Sequence, residues 1–396
     1  MSPKAPANSQ YLMNTYNRSN LIFDKGEGSW LIDSTGDRYL DFVAGIAVNC
    51  LGHSNPAIAE TICNQSRQLM HLSNLYWNTN QMALAKKLAE SAGLDQVFFC
   101  NSGTEANEAA IKLARKYGGL SGNPSKNIIL HMKDSFHGRT LGALSITGQE
   151  KYQECFRPLI GGTVQVDFNN IASLTAAMNE HICAVFIEPI QGESGVTPAT
   201  VEFLSAAKSL CEKYDALLIF DEVQCGMGRT GSLFAFEQFG VKPDAVTLAK
   251  GLGGGFPIGA VVANAKAGGA FVPSDHGSTF GGNPLACTVA LTVLDQLQSH
   301  GVISEVPEKN AYIIKQLTEL KEKTPLISDI RGMGLILGIE FTSGAKEIIA
   351  SCLDKKLLLI SAGSNVIRLV PALTISLEEL KIGLDILEEA VLENIV

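Results

Sequence analysis

Between about residues 80 and 264, short apolar runs alternate with stretches of helical spacing. The runs are "VFFC" (97–100), "IIL" (128–130), "TVQVDF" (163–168), "AVFIEPI" (184–190), "LLIFDEV" (217–223), "AVTLA" (245–249) and "GAVVAN" (259–264). Runs of this kind suit strands covered on both faces. In the stretch 103–117, Ala106, Ala109, Ala110, Leu113, Ala114 and Tyr117 share one helical face. The alternation predicts a mostly parallel α/β sheet. The pattern changes at both ends. Upstream, "GSWLIDSTGDRYLDF" predicts two short strands around the turn Ser34–Asp37. Downstream come helices near 284–300 and 305–323, strands in "GLILGIEF", "LLLISA" and "VIRLVPA", and an amphipathic helix from about 377. The expected division is an N-terminal segment 1–45 contributing to a small domain and the substrate entrance, a large domain 46–285, and a smaller α+β domain 286–396.

Composition narrows the partners. The chain has 396 residues, 46% hydrophobic and 18% charged, which is ordinary for a folded protein. A net charge of -9 argues against nucleic acid as the main partner. No apolar stretch approaches the ~18 residues of a membrane span. The start, "MSPKAPANSQYLMN", lacks the apolar core and cleavage site of a secretory signal. Nine scattered cysteines without a C-x-x-C pair suit reduced thiols and a cytoplasmic protein. The seven histidines show no metal-ligand spacing, so no metal is expected.

Ligands of open α/β sheets gather at the carboxyl ends of the strands. Asn101–Thr104, Glu188, Asp221 and Lys250 all fall at such ends, which points to one composite site. Lys250 precedes the glycine-rich "GLGGGFPIG". A lysine in a partly desolvated pocket has a lowered pKa and offers a neutral amine to an aldehyde; a surface lysine opening a turn is the plainer reading. Asp221 could cap a turn, or hold a buried cation such as a protonated pyridine nitrogen, as pyridoxal phosphate requires.

"FFCNSGTEANEAAIKLA" is a strand, a tight turn and a helix. Amides of Gly103 and Thr104 at the helix N-terminus, with the Thr104 hydroxyl, favour a phosphate. A simple N-cap by Ser102 or Thr104 explains the residues equally well. The stretch is neither G-x-x-x-x-G-K nor the dinucleotide G-x-G-x-x-G. In "DSFHGRTLGALS", Phe136 can stack on a flat ring and Arg139 can clamp a carboxylate; plain core and surface charge are the competing readings. Glu188 and Glu193 lie five apart in "FIEPIQGESGV". Arg368, inside the apolar "VIRLVPA", needs an acidic partner or an anionic ligand.

These blocks together resemble the class III (ornithine/acetylornithine-type) pyridoxal-phosphate aminotransferases. The resemblance spans nearly the whole chain. It is carried by "YLDFVAGIAVNCLGHSNP", "NSGTEANEAAIKLARK", "SFHGRTLGALS", "IEPIQGESGV", "DEVQCGMGRTG", "LAKGLGGGFPIGA" and "GSTFGGNPLAC". The C-terminal "RGMGLILGIEF" and "SAGSNVIRLVPALTI" resemble the acetylornithine-type members most. Cys225 departs from the threonine expected after Asp-Glu-Val-Gln.

The resemblance implies an α/β fold of the type I pyridoxal-phosphate class, with a mixed seven-stranded sheet in the large, cofactor-binding domain. It implies that Lys250 attaches pyridoxal 5′-phosphate as an imine and later shuttles the proton, and that Asp221 pairs with the ring nitrogen. Phe136 and Val223 would cover the two ring faces, and Gln224 would approach the ring hydroxyl. Ser102, Gly103, Thr104 and His137 would complete the cofactor site, with Thr279 reaching across from the partner of a homodimer. Arg139 would hold the substrate α-carboxylate and Arg368 the second carboxylate of 2-oxoglutarate. Glu193 would neutralise Arg368 when the donor is bound, Glu188 would support the site, and Tyr16 and Ser278 would contact substrate. The implied reaction moves the terminal amino group of N2-acetylornithine to 2-oxoglutarate. N-succinyl-diaminopimelate, ornithine or 4-aminobutyrate are rival donors. A nicotinamide dehydrogenase and a non-catalytic protein of the same fold are the remote alternatives.

Overall fold

In the computed structural model, which describes residues 8–394, six strands of the central sheet run one way and one runs against them. In spatial order they are Gln96–Cys100, Gly259–Ala263, Ala245–Leu248, Leu217–Asp221, Ile182–Ile187, Ile128–Met132 and Thr163–Val166. The reversed strand is Gly259–Ala263. All seven were expected from the apolar runs, and the three innermost, Ala245–Leu248, Leu217–Asp221 and Ile182–Ile187, are buried throughout. The first seven residues of the stretch read as lacking a secretory signal lie outside the described residues.

The helix Gly103–Gly119 packs on this sheet through Ala106, Ala109, Ala110, Leu113 and Ala114, all buried. Small side chains let it lie close to the strands. Its start is fixed by Ser102, whose hydroxyl accepts from the Glu105 N–H at 3.3 Å. The strand ends are set by polar chemistry. Leu217–Asp221 stops because the Asp221 carboxylate accepts from the Val223 N–H at 2.9 Å and turns the chain. Ile182–Ile187 stops before Glu188-Pro189, since proline cannot donate to a ladder.

The N-terminal strands Phe23–Glu27, Trp30–Asp33 and Arg38–Asp41 form a small sheet completed by Leu357–Leu358 from the C-terminal part. A second sheet has the order Ile327–Met333, Ile336–Phe341, Val366–Leu369, Ile360–Ser361. The strand Phe23–Glu27 was not foreseen, and two further details differ from the sequence expectation. The run "LLLISA" is shared between both small sheets, because Leu357 registers with Leu40 while Ile360 registers with Arg368. The strand Ile327–Met333 was not foreseen, since its sequence ISDIRGM is only half apolar and only Ile327 is buried. Among the described residues, no helix is long and apolar enough to cross a membrane.

Candidate active site

A cavity of about 440 Å³ opens where the expected strand ends converge. One wall is the N-terminus of helix Gly103–Gly119, with Ser102, Gly103 and Thr104. Amides of a first helical turn have no intrahelical partner. Ser102 serves Glu105, which leaves those of Gly103 and Thr104 at the cavity wall. Close approach requires the glycine here: a Cβ on Gly103 would lie 2.7 Å from Cγ1 of Val223. The Thr104 hydroxyl lies 2.9 Å from that of Thr140.

Deeper in, Asp221 is buried and fully engaged. Its Oδ2 accepts from Asn107 Nδ2 at 2.7 Å and lies 2.7 Å from His137 Nδ1. Asn107 also donates to the His137 carbonyl at 2.7 Å, closing a three-residue ring of contacts. The neighbouring Glu222 plays no part in this. Successive strand side chains point to opposite faces, and its carboxylate accepts from the Ala235 and Phe236 N–H groups, each at 2.7 Å. The sequence pattern alone does not mark Asn107; its one signal is a polar residue on the small, buried face of the helix.

Lys250 follows the strand Ala245–Leu248 with φ 44°, a left-handed conformation uncommon for lysine. The tight turn it opens needs glycine at Gly253, where a Cβ would strike the Phe256 carbonyl. Burial holds the Lys250 ammonium below the usual lysine range, against the attraction of Glu193. Glu188 lies in the same cavity and accepts from the Phe136 N–H at 2.9 Å. Burial, reinforced by the charge on Asp221, pushes its carboxyl well above the ordinary range.

Arg368 is fully buried and does not line the cavity. Its Nη1 donates to Glu193 at 2.7 Å, to the Gly192 carbonyl at 2.7 Å and to Gln224 Oε1 at 3.0 Å. Glu193 and Gln224, joined at 2.9 Å, lie between it and the open space. Nε and Nη2 of Arg368 have no partner among the described residues. Burial raises the Glu193 carboxyl, but Arg368 outweighs it and the net shift is downward.

Phe136, Arg139, Val223 and Gln224 also line the cavity. Arg139 is exposed and lies over the rings of Phe136 and Tyr152, 5.5 and 4.1 Å from their centroids. Tyr152, on the short helix Glu150–Gln153, was not anticipated. Cys225 lies at the cavity floor as a buried thiol 3.8 Å from the Asp221 carbonyl. Three expected residues lie elsewhere in this chain. Ser278 and Thr279 line a separate recess, connected through the 3.1 Å bond from Asn101 to the Ser278 hydroxyl. Tyr16 is 69% exposed and carries the Arg18 guanidinium over its ring. Among the described residues no His/Cys/Asp/Glu group could hold a metal ion.

The family model described as "Aminotransferase class-III" matches residues 11–391. The chain belongs to the class-III aminotransferases. An acetylornithine aminotransferase of Clostridium acetobutylicum is 54% identical over 382 residues, covering 96% of this chain and 99% of that protein. A solved N-acetylornithine aminotransferase from Stenotrophomonas maltophilia is 37% identical with a TM-score of 0.84, covering 96% of this chain and 97% of that one. An ornithine aminotransferase structure from Toxoplasma gondii, with partial occupancy of PLP at its active site, is 31% identical with a TM-score of 0.93, covering 97% and 92%. This class-III enzyme is accordingly a pyridoxal-phosphate-dependent aminotransferase acting on a small amino donor and acceptor. The cavity fits that group on its own terms. It offers a lysine of lowered basicity, a buried carboxylate for a ring cation, and a glycine-floored helix terminus for a phosphate.

Proposed function

We propose that this aminotransferase moves the terminal (δ) amino group of N2-acetyl-L-ornithine to 2-oxoglutarate, giving N-acetyl-L-glutamate 5-semialdehyde and L-glutamate. It does so as a cytoplasmic homodimer in arginine biosynthesis. The observation that carries this reading is the Arg368–Glu193 pair set against the cavity of Lys250 and Asp221. One pocket has to accept a dicarboxylate and a donor with an uncharged tail in turn. With Glu193 on Arg368 the positive charge is neutralised for the donor. With Glu193 displaced, Nη1 of Arg368 is freed to hold a carboxylate of 2-oxoglutarate through a charge-assisted hydrogen bond. The full-length similarity to an acetylornithine aminotransferase supports the choice of donor.

Pyridoxal phosphate, when bound, supplies an electron-accepting ring that stabilises a carbanion at the substrate carbon. Asp221 would hold the protonated ring nitrogen, and His137 and Asn107 keep that carboxylate in place. Lys250 attaches the cofactor and, as an amine of lowered basicity, moves the proton at the reacting carbon. Gly103 and Thr104 would hold the phosphate through helix-terminal amides, joined by Thr279 of a second subunit. Phe136, Val223 and Gln224, which line the cavity, would hold the ring. Arg139, exposed at the rim, holds the α-carboxylate. Exposed Leu75, Trp77 and Phe280 supply apolar surface for the dimer contact.

Steady-state kcat/KM for acetylornithine, N-succinyl-diaminopimelate, ornithine and 4-aminobutyrate, with 2-oxoglutarate as acceptor and glutamate as the measured product, tests the reading. Acetylornithine should give the highest value. A higher value for any other donor would replace it.

A further inference from the structure

The hairpin loop that carries Glu193 is gripped at both ends by an arginine. Ile190–Gln191 and Thr197–Pro198 pair antiparallel, and residues 192–196 make the loop between them. At its start, Arg368 Nη1 donates to the Gly192 carbonyl and to the Glu193 carboxylate, each at 2.7 Å. Near its end, Arg331 Nε donates to the Gly195 carbonyl at 2.7 Å. Between the two, the Ser194 hydroxyl donates to the Asp134 carbonyl at 2.6 Å.

Strand register explains how two arginines reach one loop. Arg331 stands opposite Gly338 on the neighbouring strand, and Gly338 stands opposite Arg368 on the next. Residues directly opposite across a ladder share a face of the sheet, so the two guanidiniums flank a position that has no side chain. The loop fills that gap: a Cβ on Gly338 would lie 2.9 Å from Cβ of Val196 and 3.0 Å from the Gly195 carbonyl oxygen. Its backbone is strained there. Gly195 has φ 100° and Val196 has φ 53°, a left-handed conformation uncommon for a β-branched residue. Such strain persists only where the surroundings over-determine it. Arg331 is itself fixed, because its Nη1 donates to Asp329 at 2.9 Å and to Glu340 at 2.5 Å. It does not line the cavity.

We infer that Arg331 is a positioning residue for Glu193: by holding the Gly195 carbonyl it keeps the loop seated over Gly338, and so sets the effective concentration of the Glu193 carboxylate at Arg368. The inference rests on the proposed exchange of Glu193 against a substrate carboxylate. In that exchange Glu193 is a tethered competitor, and a tethered group competes more strongly the more closely its tether is confined to the right geometry. Cutting the Arg331 anchor should make Glu193 easier to displace. Dicarboxylates should then bind more tightly. The donor, which needs the charge on Arg368 neutralised, should bind less well.

The test compares the holoenzyme with Arg331→Met, Arg331→Lys, Glu193→Ala and the double variant Glu193→Ala with Arg331→Met. Each half-reaction is read separately by cofactor absorbance, and glutarate, a dicarboxylate that cannot react, is titrated as an inhibitor against 2-oxoglutarate. In Arg331→Met the glutarate inhibition constant should fall about fivefold, and the ratio of donor to 2-oxoglutarate kcat/KM should fall by a similar factor, through opposite movements of the two KM values. With Glu193 already removed, the same substitution should change either quantity by less than about twofold. Arg331→Lys keeps a charge for Asp329 and Glu340 but loses the planar fork. It should act in the same direction by a smaller margin, and it decides the matter if Arg331→Met does not fold. An unchanged ratio and glutarate constant, or an equal fall in both half-reactions, would make Arg331 purely structural and overturn the inference. An effect that persists undiminished without Glu193 would do the same. If Glu193→Ala itself leaves the ratio unchanged, the exchange at Arg368 fails instead, and the two failures are distinguishable.

Discussion

Arg368 meets Glu193 at 2.7 Å from within a strand whose other residues, Val366, Ile367 and Leu369, are all apolar and buried. A guanidinium so placed is stable only while something anionic faces it. The protein supplies that anion from a loop lining the pocket, where a substrate carboxylate can take its place.

Glu193→Ala should therefore cost on the order of 3 kcal/mol of stability, because it leaves a buried charge unpaired. Added glutarate should restore much of the lost thermal stability by supplying a carboxylate. The same variant should shift preference toward dicarboxylates, seen as a lower ratio of donor to 2-oxoglutarate kcat/KM. An unchanged ratio would rule out the switch. The depressed carboxyl also fixes a pH sign: the pair contributes stability above about pH 4.5, the ordinary glutamate value, and loses it as pH falls through the lower folded value.

Asp221→Asn removes the negative charge to which Asn107 and His137 are both aimed. Breaking a buried pair typically costs about 3–5 kcal/mol. Felt in the transition state, that is roughly two to four decades in kcat. Single-turnover kinetics should show the loss in both half-reactions alike, unlike the selective effect at Glu193.

Burial and the charge on Asp221 both raise the Glu188 carboxyl, so Glu188→Gln should be mild, keeping kcat within about tenfold. Because the folded value is raised, the protonated carboxyl stabilises the wild-type fold fully below about pH 4.5, and that contribution is lost as pH rises toward the folded value. Melting temperatures of the apoprotein across that range should decline less steeply for the glutamine variant than for wild type. Parallel curves would show that Glu188 is ionised.

Gly103→Ala should weaken cofactor retention without unfolding the chain, since its methyl would press on Val223 at the helix terminus. Equilibrium dialysis against pyridoxal phosphate should give a Kd raised by about tenfold, roughly 1.4 kcal/mol. An unchanged Kd would show that this terminus is not the phosphate cradle.

The sheet was legible because its strands are continuous apolar runs, and such runs report burial directly. Asp221, Lys250 and the Ser102–Thr104 turn were legible because polar residues at the tips of such strands stand out. Asn107 and Tyr152 were not, because their importance lies in contacts across 114 and 13 positions of the chain that no local pattern records. The split of "LLLISA" between two sheets was invisible for the same reason: its two halves are assigned by Leu40 and Arg368, far away in sequence. The strand Ile327–Met333 escaped notice because it carries Asp329 and Arg331, with Arg331 paired to both Asp329 and Glu340, rather than an apolar run.

The central claim is that Lys250 attaches the cofactor across the pocket from Asp221. Borohydride reduction of the pyridoxal-phosphate-loaded protein, followed by mass mapping of its peptides, tests this most directly. The account predicts a single pyridoxyl label on Lys250 and none in Lys250→Ala. A label on another lysine, or no label despite excess pyridoxal phosphate, would contradict it.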